Sequence, residues 1–213
     1  MIYQLYQAHS DMIAPLRAMA RLAVCQLNHV KAENLDDSVT RRFSALCEVV
    51  AHLGLTHHRP SYGIDTVQLG NRTAQVVEEA VDKTPFCTLL HFRKIDVPSQ
   101  ARVLLVAPLS GHFATLLRDT VRTMLPEHDI YLTDWHNVRD VAMSHGRFGL
   151  DEYIEHLIRF LEKLGRGAHI VAICQPVVPA LAAVALMAQD GNPAQPHSMT
   201  LMAGPIDTRV NPT

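Results

Sequence analysis

Residues 168–188, AHIVAICQPVVPALAAVALMA, join a short apolar run, one cysteine at a sharp break and a helix of small residues. A side chain at such a strand-to-helix turn projects into a cleft with helix-end amides beside it. Cys174 occupies the turn, and its chemistry there would be nucleophilic: a thiolate attacks an acyl carbon while backbone N–H groups hold the oxyanion. Residues two before and two after the nucleophile crowd each other in so tight a turn and must be small. Ala172 meets that need. Pro176 stands where glycine is usual, but a proline in the first helical turn costs no hydrogen bond, and the same holds for Pro179.

Two plainer readings fit the local pattern as well. The charge-free stretch has about the ~20 residues a membrane span needs, although His169, Gln175, Pro176 and Pro179 interrupt it. Alternatively, Cys174 is a buried small hydrophobe, as most free cysteines are. Context separates these from the nucleophile.

The elements before the turn begin with two helices. Residues 1–27 place Ile2, Leu5, Met12, Leu16, Met19 and Ala23 near a 3.6 period, and residues 37–53 carry a second apolar stripe behind Asp37-Ser38 as its N-cap region. Segment 57–70 is rich in turn residues. Residues 74–81 and 86–92 predict an antiparallel pair at a sheet edge. From Arg102 onward, buried strands at 103–107, 130–133, 169–173 and 198–202 alternate with helices ending near 125, 164 and 188. That alternation predicts a mainly parallel sheet covered on both faces. The fold class is therefore α/β, with a helical segment over 1–60 and the sheet domain over 61–213.

This order is that of an α/β-hydrolase sheet, with the nucleophile after the third strand of the βαβ series and an oxyanion loop after the first. The N–H of Gln175 is the natural first oxyanion donor, and the loop after Ala107 offers Leu109 or Ser110 as the second. His112 in that loop forms a polar wall of the cleft or, less in keeping with the fold, the base for Cys174. Asp134 closes the next strand as a capping residue or an orienting one, and the same choice applies to Asp207.

Composition excludes several other classes. Hydrophobic residues make up 48% and charged residues 19%, with a net charge of −2, so disorder, nucleic acid and an anionic membrane surface find no support. The 13 histidines are scattered, without zinc-ligand spacing, and no metal is expected. Cys25, Cys47, Cys87 and Cys174 are far apart, and polar residues break up the first twenty positions. A reducing cytoplasm is the expected home.

Three segments, LLVAPLSGHFATLLRDTVRTMLPEHDIYLTDW at 104–135, HIVAICQPVVPALAAVALMA at 169–188 and MTLMAGPIDTR at 199–209, together with the opening MIYQLYQ, resemble intracellular polyhydroxyalkanoate (poly-3-hydroxybutyrate) depolymerases. The resemblance implies a cytoplasmic ester hydrolase with a Cys, His and Asp triad, acting without a cofactor on polymer granules. Polyhydroxyalkanoate synthases, the related acyltransferases, typically carry Gly-x-Cys-x-Gly, which Ala172 and Pro176 do not match.

The sequence also departs from that pattern. Hydrolases of this order run nucleophile, acid, histidine, yet the residues after Cys174 have room for one helix and one strand. Their single histidine, His197, falls at the amino end of the last strand, whereas catalytic groups gather at carboxyl ends. The expectation is a truncated hydrolase sheet whose triad acid and base lie outside this chain, with weak hydrolysis or none. Its open edge at 199–202 would favour self-association. A non-catalytic granule-binding module is the reading from a different class.

Overall fold

A computed structural model describes residues 2–31, 38–53, 59–109, 113–207 and 209–210. The chain divides into two compact units, Met1–His57 and His58–Thr213.

The first unit is a pair of helices, α1 (Ile2–Lys31) and α2 (Ser38–His52). They meet through small side chains: Ala20, Cys47 and Ala51 are buried, with Ala23, Val24 and Val50 packed against them. Large apolar residues lie on the outside, including Leu5, Met12, Met19, Phe43 and Leu46.

The second unit holds β1 (Thr66–Leu69), β2 (Arg72–Lys83), β3 (Cys87–Lys94), β4 (Ala101–Val106), α3 (Arg118–Met124), β5 (His128–Trp135), α4 (Leu150–Leu164), β6 (His169–Ile173), α5 (Val177–Gln189) and β7 (Ser198–Met202). The strands form one sheet in the order β1-β2-β3-β5-β4-β6-β7. Strand β4 pairs in parallel with β5 and β6, and β6 with β7. The pairings β1–β2, β2–β3 and β3–β5 are antiparallel, so β2, β4, β5, β6 and β7 run one way and β1 and β3 the other. This is the α/β-hydrolase type of sheet that the sequence predicts.

One element differs from expectation. Segment 57–70 contains a strand, β1, which pairs with β2 across a two-residue turn whose Gly70 sits at φ +58°. Residues 74–81 are therefore an inner strand, and β1 is the edge.

Both faces of the sheet are covered because successive residues of a strand point to opposite sides. Val103, Leu104, Leu105 and Val106 are all buried. On one face Trp135 packs edge-on against Tyr153 of α4, with ring centroids 4.4 Å apart, and α5 lies against α4. On the other face α3 is tied down by Arg118, which donates to the Ser61 carbonyl, and by Arg122, which donates to that of Gly63 at 3.0 Å.

Candidate active site

Strand β6 is in register with the ends of its two neighbours, Ala172 beside Val106 and Ile173 beside Met202. The chain leaves the sheet at Cys174, whose φ is +69°. A non-glycine residue in this left-handed region costs about 1–3 kcal/mol and persists only where its surroundings fix it. Here the Cys174 N–H donates to the Met202 carbonyl at 2.7 Å, and the Cys174 carbonyl accepts from Val177 N at 3.2 Å. Pro176 sits at the head of α5 with φ −64°, the value its ring imposes. The Cys174 residue is exposed.

A second constraint comes from beyond β7. A Cβ on Gly204 would lie 2.4 Å from Val177 Cβ and 2.6 Å from the Cys174 carbonyl oxygen. Gly204 is not in the left-handed region, so its requirement is one of space alone: the backbone after β7 presses directly against the elbow. Nothing in the Ala203-Gly204-Pro205 sequence declares this, since it depends on where two distant segments meet.

The loop after β4 is anchored at Ala107. Its N–H donates to Thr133 Oγ1 at 2.9 Å, and its carbonyl accepts from Trp135 Nε1 at 3.0 Å and from the Tyr153 hydroxyl at 3.4 Å. Two residues on, the Leu109 N–H donates to Gln175 Oε1 at 3.1 Å. The structure thus brings Leu109 and Gln175 together beside Cys174, but through the Gln175 side chain. Ser110 and His112 lie outside the described residues.

Asp134, at the carboxyl end of β5, is buried and faces Arg59, whose Nε is 3.0 Å from Oδ2. Arg59 also pairs with Glu78 at 2.8 Å and lies over the Tyr62 ring. Burial pushes the Asp134 carboxyl above the ordinary range, against the pull of Arg59 and His136. Its Oδ1 makes no hydrogen bond. His136 is engaged at both nitrogens: Nδ1 donates to the Pro85 carbonyl at 2.9 Å, and Nε2 lies 2.7 Å from Thr88 Oγ1. Arg59, which holds Asp134, carries no local sequence signal for that role.

His197 and Asp207 stand apart from this arrangement. The His197 N–H donates to the Ala168 carbonyl, at the far end of β6 from Cys174. At about 3.3 Å per residue that is roughly 20 Å away. Asp207 is held by Arg209 at 2.8 Å in an exposed local pair. Among the described residues no side chain hydrogen-bonds the Cys174 thiol, and no group of three or more His, Cys, Asp or Glu side chains is gathered to hold a metal. No helix of the described residues is long and apolar enough to cross a membrane.

No family model and no curated protein matches the sequence. Among solved structures, the chain is similar to a predicted CIB-like hydrolase from Thermoplasma acidophilum, at 12% identity over 62% of this chain and 64% of that one, with a TM-score of 0.41. It is also similar to a mutant of LAE6, an α/β hydrolase enzyme from the metagenome of Lake Arreo, Spain, at 12% identity over 68% and 47% of the two chains, with a TM-score of 0.43. A third is the 2-hydroxy-6-oxo-6-phenylhexa-2,4-dienoate hydrolase from Rhodococcus sp. strain RHA1, at 14% identity over 62% and 47%, with a TM-score of 0.39. The matches span less than two thirds of the length of each of these structures.

Proposed function

We propose that this chain carries the nucleophile part of a cysteine-dependent ester hydrolase of the intracellular polyhydroxyalkanoate depolymerase type. The observation that carries the reading is the exposed Cys174, held at φ +69° between a parallel strand and a helix. In this reaction the thiolate sulfur bonds to the ester carbonyl carbon and the alkoxide leaves with a proton. Water then cleaves the thioester, returning the thiol and releasing a hydroxy acid. The N–H of Gln175 is the elbow's own oxyanion donor. Asp134, held by Arg59 on the face opposite α4, has a structural role in this scheme. The base belongs to no described residue.

The test is acylation of each thiol by a 3-hydroxybutyryl p-nitrophenyl ester, read by peptide mass, together with monomer release from amorphous poly-3-hydroxybutyrate granules. The expected result is a thioester that forms at least ten times faster on Cys174 than on the exposed Cys25, with granule hydrolysis weak or none and any that occurs lost in Cys174→Ala. Equal labelling of the two cysteines would sink the reading.

A second reading rests on the outward-facing Leu5, Met12, Met19, Phe43 and Leu46 of the helix pair. These suit a non-catalytic module that adheres to an apolar polymer surface. Granule binding by Cys174→Ala without any thioester on the unmodified chain would favour it. Association of copies through the edge strand β7, in which no residue is buried, fits either reading and would appear as a dimer in sedimentation.

A further inference from the structure

The hydrogen bond from Leu109 N–H to Gln175 Oε1 joins the two segments that an acyl-transfer site must hold together. We propose that the Gln175 side chain is a positioning residue, which locks the loop after β4 to the elbow and fixes that loop against Cys174. This rests on the acyl-transfer reading of Cys174 given above.

Three features support the role. First, the loop is pinned on its upstream side by the Ala107 hydrogen bonds, and the bond from Leu109 holds it to the elbow two residues later. Second, the tie gives a backbone N–H its partner from a side chain rather than from another strand. Third, the acceptor belongs to the residue directly after the nucleophile. Movement of the elbow therefore passes to Leu109 through the Gln175 side chain. The same bond engages the N–H of Leu109, which then serves the placement of the loop and not the oxyanion.

The acceptor is what matters, so Gln175→Met, similar in length but without the carbonyl, isolates it, and Gln175→Glu restores an acceptor oxygen. Acylation of Cys174 by p-nitrophenyl butyrate is measured in a single turnover by peptide mass. Alkylation by iodoacetamide, which forms no oxyanion, runs in parallel, and hydrogen exchange reports the Leu109 amide. Gln175→Met is expected to slow acylation by about 10- to 100-fold, the cost of misplacing groups around a reacting carbonyl by an ångström or so. Alkylation should change less than twofold, and the Leu109 amide should lose its protection. Gln175→Glu should recover part of both the acylation rate and the protection.

Unchanged acylation in Gln175→Met would overturn the role, and faster acylation would show instead that the side chain obstructs a donor. Absence of any thioester on the unmodified chain removes the acyl-transfer reading and this role with it. Normal wild-type acylation with an unaffected Gln175→Met removes this role alone.

Discussion

The two ends of the parallel strands differ in where non-glycine backbone is strained. At the amino end, Lys94 is buried and its ammonium reaches the Leu125 carbonyl at 2.7 Å, the His128 carbonyl and Asp129 at 3.5 Å. Burial pulls the Lys94 ammonium below its ordinary range and Asp129 pulls against it, and three acceptors face its three donors. His169 is likewise satisfied by Ser198 at 2.7 Å. Each end keeps a buried oxygen without a partner, Gln100 Oε1 at the amino end and Asp134 Oδ1 at the carboxyl end, but at the carboxyl end Cys174 and Ala203 both adopt left-handed backbone. Asp96 does so at the amino end, but aspartate tolerates that conformation in a turn. Backbone strain persists where the surroundings impose it, and it clusters at functional sites. On the proposed function, the amino end is scaffold and the carboxyl end the working face.

This contrast can be broken by mutation. Lys94→Met should have the largest effect on stability, about 2–4 kcal/mol, because it leaves two carbonyls and Asp129 without their shared donor. Cys174 acylation, measured well below the lowered melting temperature, should stay within twofold of wild type. A large loss of acylation there would mean that the amino end also shapes the site. Gly204→Ala should show the reverse pattern. Its added Cβ meets a backbone oxygen and a Cβ, neither of which can swing aside, so the elbow itself must shift. Overpacking of this kind costs about 1–3 kcal/mol, while acylation should fall by about 100-fold. Stability loss without an acylation defect would show that Gly204 supports packing only.

Much of this division was legible in the sequence. Strands β4 and β6 stand out because burial on both faces requires unbroken apolar runs, and Cys174 stands out because it interrupts one. Strand β1 was not legible: Thr66-Val67-Gln68-Leu69 is short and offers one buried residue, Val67, between turn glycines. Gln175 could be read as a backbone donor from its place after the cysteine. The role of its side chain could not, because that depends on where the loop after β4 passes. Gly204 and Arg59 are silent for the same reason. Each acts by meeting a segment distant in sequence, and local periodicity contains no record of that meeting.

The smallest expected effect is also the most direct measure of strain at the working face. Cys174→Ala keeps a Cβ and therefore keeps the left-handed penalty, whereas Cys174→Gly removes it at the expense of some unfolded-state entropy. Relief of about 1–3 kcal/mol against an entropy cost of about 0.5–1 kcal/mol leaves Cys174→Gly about 1 kcal/mol more stable than Cys174→Ala. Neither variant should form a thioester at position 174. Urea unfolding of the two proteins side by side decides the point, because both lack the thiol and differ only at Cβ. Equal midpoints would mean that the elbow stores no strain, and the carboxyl end would then lose its distinction from the scaffold end in the term that most clearly separates them.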